Sequence, residues 1–195
     1  MKKEPVIYTH YGHSTFDINL FNPIKNKRFG VKPVGGFWAS RQNAKYGWKD
    51  WNKNEGFVIC DKNNKISFTL KSDSHVLEIH SVQDVDNIIE KYHVDLPNDI
   101  GFTTMYGQLS DKPCFIDFEK IAKDYDAIEC FVSDDSGLYD KLYTWDCDSI
   151  LILNPDIIEP ILEKEQSIAD KLFDEEDLVS PLISPNSYLN SNEER

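Results

Sequence analysis

The chain has 195 residues, 40% of them apolar, and a formal net charge of −13. That is enough for one folded domain with a single core, too apolar for a wholly disordered chain, and too acidic to bind nucleic acid nonspecifically over its whole surface. No window approaches the roughly 18 consecutive apolar residues of a membrane span, and the start, MKKEPVIYTHYGH, lacks an apolar run long enough for a secretory signal.

Cys60, Cys114, Cys130 and Cys147 are widely spaced without a CxxC pair. Reduced thiols in the cytoplasm are therefore expected, rather than a zinc site or a disulfide framework. The charge is uneven. Residues 1–53 hold ten Lys/Arg against three Asp/Glu, and the remainder eleven against thirty-one. The basic third could receive one anionic ligand, or the two parts could simply pair across the fold.

In chain order, Pro5–Tyr11 reads as a buried strand, and Asn19–Gly36 as a loop punctuated by Pro23, Pro33, Gly30, Gly35 and Gly36. Phe37–Ser40 is a short aromatic strand. Arg41–Asn52 reads as a helix with Ala44, Trp48 and Trp51 on one face. A hairpin of Gly56–Cys60 and Lys65–Leu70 follows, then a strand at Val76–His80. Ser81 caps a helix over Val82–Tyr92, where Val85, Ile88 and Ile89 have helical spacing.

Residues 93–114 read mostly as loop. Asp117 caps a short helix at Phe118–Lys123, Ala127–Val132 and Ser149–Asn154 are strands, and Ile157–Phe173 is expected to be helical with Pro160 in its first turn. The elements lack βαβ regularity, and no GxGxxG opens a helix. The expected fold is α+β, a split, mixed, mainly antiparallel sheet with flanking helices. One domain is expected over residues 1–173, with an acidic, loosely ordered tail over 174–195.

Three segments could carry chemistry: Thr9-His10-Tyr11-Gly12; Gly35-Gly36-Phe37-Trp38-Ala39-Ser40 with Ala44 and Tyr46 beyond it; and Asp126-Ala127-Ile128-Glu129. Together they resemble the ADP-ribosyltransferase superfamily, in the His–Tyr–Glu form of poly(ADP-ribose) polymerases and diphtheria-like enzymes. The resemblance covers about the first 155 residues. It implies that NAD is the substrate and that His10, beside Tyr11 and Gly12, holds a ribose. It also implies that Phe37 or Trp38 stacks on nicotinamide near Ser40 and Tyr46, and that Glu129 is catalytic. The family's tyrosine is replaced here by Phe37 or Trp38, so stacking would survive without a phenolic hydrogen bond. Ala127 stands where an acid or Gln would favour modification of protein arginine.

The chemistry fits these residues. Cleaving the nicotinamide N-glycosidic bond passes through an oxocarbenium-like cation that one placed carboxylate can stabilise. Lys32, Arg41 or Lys45 could pair with the pyrophosphate. The ends of the three strands are expected to meet at one cleft, with His10, Trp38 and Glu129 on a shared face; division among faces would count against the reading. The ADP-ribose acceptor, whether a protein, nucleic acid, small molecule or water, is left open.

Blander alternatives exist for each residue. His10 could be a satisfied strand histidine, Glu129 could face water, and the tryptophans could be core. His10 and His13 could form an HxxH metal pair with Asp17 or His80, given a bend at Gly12. Two other functions follow from these alternatives: a non-catalytic NAD, ADP-ribose or protein-binding module of the same fold, and a small metal-assisted hydrolase.

Overall fold

A computed structural model describes residues 5–26, 32–56, 64–93 and 116–161. The chain divides into two compact units, Met1–Pro160 and Ile161–Arg195, and every element below belongs to the first. Seven strands form one sheet: β1 (Tyr8–Tyr11), β2 (Phe37–Arg41), β3 (Lys65–Leu70), β4 (Val76–Ile79), β5 (Ala127–Cys130), β6 (Ser149–Ile152) and β7 (Ile158–Pro160). Their spatial order is β4-β5-β6-β2-β1-β3-β7. Only β4 and β5 run parallel; the other pairings are antiparallel. The helices are α1 (Trp48–Glu55), α2 (Val82–Lys91), α3 (Phe118–Ile121) and α4 (Ser136–Lys141). The architecture is mixed α+β with a mostly antiparallel open sheet.

Strand alternation sorts side chains into two cores. One face carries Ile79, Ile128, Cys130 and Leu151, covered by Val85 and Ile88 of α2, Phe118 and Ile121 of α3, and Leu138 and Leu142 of α4. The other carries Tyr8, Ala39, Ile66, Phe68, Ala127, Ile150 and Ile152, packed with Ile157 and Ile158. Burying branched apolar side chains at about 1.5–3 kcal/mol each is what holds the sheet between these layers.

Strand β2 changes partners along its length. Phe37, Trp38 and Ala39 pair with β6, whereas Ser40 and Arg41 pair with Thr9 and Tyr8 of β1. The β1–β2 ladder therefore parts beyond Thr9, and His10 stands at the parting. Upstream, Gly35 and Gly36 both have positive φ. A Cβ on Gly35 would strike the Pro23 carbonyl, and one on Gly36 would strike Leu151 and the Ile152 carbonyl region. Because backbone cannot move aside as a side-chain tip can, Gly35→Ala is expected to lower stability by about 2 kcal/mol or more, measured by urea unfolding.

Several boundaries differ from the sequence expectation. The helix read from Arg41 starts only at Trp48. Arg41 instead completes β2, and the turn at Gly47 carries the helix start. There the Asp50 carboxylate accepts the Gly47 N–H at 2.9 Å and Ser40 Oγ accepts the Trp48 N–H at 2.9 Å. The helix expected over Ile157–Phe173 is contradicted at its start. Pro155–Ile157 form a 3₁₀ turn, and Ile158–Pro160 form edge strand β7 against β3. Burial of Ile157 and Ile158 against the sheet outweighs helical spacing, and a proline without an N–H suits an edge strand. The first arm of the expected hairpin, Gly56–Cys60, lies outside the described residues after Gly56, as do residues 94–114 of the expected loop, 162–173 of the expected helix and the expected tail over 174–195.

Candidate functional site

Glu129 lies in the middle of β5 and is 2% exposed. Its Oε1 accepts Arg41 Nε at 2.6 Å, and its Oε2 accepts Arg41 Nη2 at 2.6 Å and the Tyr8 hydroxyl at 3.0 Å. This bidentate geometry is the strongest form of arginine–carboxylate pairing. The Glu129 hydrogen bond raises the Arg41 guanidinium above its ordinary range. Burial, and next the Glu129 charge, pushes the Tyr8 phenol up. Arg41 also approaches Glu78 at 3.6 Å and packs over the Phe131 ring at 4.8 Å.

His10 sits at the other end of this face. Its Nδ1 lies 2.6 Å from the Trp38 carbonyl oxygen, in place of the ladder bond lost where β1 and β2 part. A carbonyl only accepts, so Nδ1 carries the proton and Nε2 presents a lone pair. That Nε2 is shut from solvent and has no hydrogen-bond partner among the described residues. Burial lowers the His10 pKa below 6.5, which keeps the ring neutral. The ring packs on Phe37 with centroids 4.4 Å apart and stacks on His13 at 5.7 Å. The bend that joins the two histidines is at Gly12, where φ is +120°. Among the described residues no group of three or more His, Cys, Asp or Glu is placed to hold a metal ion.

His10, Phe37 and Glu129 thus share one face of the sheet. Trp38 does not. Its side chain packs in the helix-covered core, edge-on to Trp145 at 4.8 Å and beneath Lys32 Nζ at 4.6 Å. The expectation that His10, Trp38 and Glu129 lie on one face is therefore corrected: Phe37 and Trp38 alternate along β2, and only Phe37 reaches the His10 side. Strands β6 and β2 also separate β5 from β1, three strand spacings or roughly 14 Å. The intervening Ile150 and Ala39 are buried, and Tyr8 reaches across that distance to Glu129.

The other expected ligand contacts are distributed elsewhere. Lys32 Nζ donates to the Thr144 carbonyl at 2.9 Å. Ser40 Oγ donates to the Asp148 carbonyl at 2.7 Å while capping α1. Tyr46 is held by Asp148 Oδ2 through its N–H and by Asn54 Nδ2 through its hydroxyl. Lys45 Nζ donates to the Ser133 carbonyl. Tyr11 alternates away from His10 on β1. Replacing Ser40 by Ala should therefore cost about 1–2 kcal/mol of stability through the lost cap, measured by urea unfolding.

Tyr8, Glu78 and Asp134 do not stand out in the sequence, and His80 does so only as a further ligand for an HxxH metal pair. A signal was present: VLEIH and AIECFV both carry an acid at a central strand position, and the structure pairs Glu78 with Glu129 in register. Searches of family models, of curated proteins and of solved structures find no match to this chain.

Proposed function

We propose that this domain binds NAD where β1 and β2 part and breaks its nicotinamide–ribose bond, as an ADP-ribosyltransferase or NAD glycohydrolase. The observation that carries the reading is the buried His10 Nε2, a lone acceptor beside the Phe37 ring. A buried acceptor without a partner costs about 1–3 kcal/mol, and a ribose hydroxyl is a donor that would satisfy it. Phe37, rather than Trp38, supplies the apolar ring face for nicotinamide. Glu129 supplies the negative charge for the oxocarbenium-like cation. For that, Arg41 must exchange the carboxylate for an anion, and the NAD pyrophosphate is such an anion. The acceptor is water or a protein, nucleic-acid or small-molecule nucleophile.

A second reading is favoured by one specific observation. Glu129 is buried with both oxygens engaged, which suits a structural ion pair. In that case the same face binds NAD or ADP-ribose without cleaving it. Calorimetry with NAD, followed by an assay for free nicotinamide, separates the two: binding with turnover supports the enzyme, and binding alone supports the module.

The His10 tautomer gives a further expected result. Protonation would turn Nε2 from acceptor into donor, and burial places this event below pH 6.5. NAD affinity should be flat from pH 8 to about 6.5 and fall below it, while His10→Ala should bind weakly at every pH. An affinity unaffected by His10→Ala places the ligand elsewhere.

A further inference from the structure

We propose that His80, oriented by Asp134, is the base that takes the proton from the acceptor nucleophile in the reaction proposed above. The inference rests on that reading and adds a residue to it. His80 follows β4, whose Glu78 is in register with Glu129 of β5. Its Nδ1 lies 2.8 Å from Asp134 Oδ2. A carboxylate at that nitrogen holds the Nδ1–H tautomer and leaves Nε2 as the basic atom. The ring is fixed a second time, stacked on Phe131 at 4.2 Å and 6°. The same Phe131 ring carries Arg41, which grips Glu129. His80 Nε2 is 3.7 Å from Glu78 Oε2, beyond a hydrogen bond, and the side chain is 47% exposed. The ring is thus directed, and its half-exposed side chain can meet a nucleophile arriving at the β4–β5 end of the sheet, with the Glu78 carboxylate beside Nε2.

The step balances. The acceptor oxygen forms a bond to the anomeric carbon, and the carbon–nitrogen bond to nicotinamide breaks with its electron pair going to the ring nitrogen. The acceptor's proton passes to His80 Nε2. Asp134, through its hydrogen bond and next its charge, raises the His80 pKa above 6.5, and Glu78 adds to the effect. Arg41 lies beyond Glu78, and Asp84 accepts the His80 backbone N–H. A base works in its neutral form, so the rate should rise with pH through this raised value.

The test uses the full chain, NAD, and water or azide as nucleophile, reading nicotinamide release. Water must lose a proton and azide need not. His80→Ala should release nicotinamide roughly 10²-fold more slowly with water, and azide should restore most of the rate. Azide should not rescue Glu129→Gln. Asp134→Asn should shift the midpoint of the rate–pH profile toward lower pH, an effect that a merely structural role would not produce. Wild-type release that His80→Ala leaves intact, or a slowed variant that azide fails to rescue, overturns the role of His80 alone. Absence of release by the wild type overturns the role together with the reading on which it rests. Melting curves confirm that each variant is folded.

Discussion

Glu129→Gln is expected to slow nicotinamide release by roughly 10²–10³ while NAD affinity stays within a few-fold of wild type. The substitution keeps shape and an acceptor but removes the charge, so it isolates the electrostatic contribution to the transition state. The structure adds a consequence that the sequence did not suggest. Glu129 holds Arg41 through two 2.6 Å bonds and accepts the Tyr8 hydroxyl. Gln can accept from only one side of the guanidinium fork, which leaves a partly buried cation under-compensated. Arg41 is 29% exposed, so solvent softens the loss, and a destabilisation of about 1–3 kcal/mol is expected by urea unfolding. Assays should therefore run well below the variant's melting temperature, where slow turnover cannot be attributed to unfolding.

Arg41→Ala is expected to be among the most destabilising single substitutions in the sheet. It leaves the Glu129 carboxylate, 2% exposed, with only Tyr8 as a hydrogen-bond donor among the described residues. Removing one partner of a buried pair typically costs about 3–5 kcal/mol. The double change Arg41→Leu with Glu129→Leu removes both charges and should recover much of that loss, because apolar side chains would face the core that holds Tyr8, Ala39 and Ile150. A double-mutant cycle measured by urea unfolding should show strong coupling between the two positions. Independent, additive effects would mean that the ion pair contributes little to the fold.

The elements that were legible in the sequence are those defined by strong local chemistry. The Ser81 cap and the Val85–Ile88 spacing locate α2, and the structure adds the reciprocal bond from Asp84. SILILN marks β6, buried at all four positions from Ser149 to Ile152. Pro160 misled for a physical reason: a proline near the start of an apolar, acidic run fits a first helical turn as well as an edge strand. Only the pairing of Phe68 with Pro160, a contact 92 residues apart in sequence, decides between them.

The site was partly legible for the same reason. A histidine before a glycine and a glutamate in an apolar strand stand out locally. Which of Phe37 and Trp38 faces His10 depends on the phase of β2, and two adjacent aromatics leave that phase undefined. In the sequence Arg41 reads as a helical residue available to phosphate, because nothing local shows that it reaches Glu129, 88 residues away. The charged group at the end of β4 and β5 is likewise assembled only by the parallel pairing of those strands.

The most direct test of the central claim is the rate of nicotinamide release from NAD by purified wild-type protein beside Glu129→Gln, with binding of NAD to both measured by calorimetry. Both proteins should bind NAD, the wild type should release nicotinamide, and the variant should release it roughly 10²-fold or more slower. Release that Glu129→Gln retains would contradict the role of Glu129. NAD binding by the wild type without release, with any acceptor supplied, would contradict catalysis and leave the binding module.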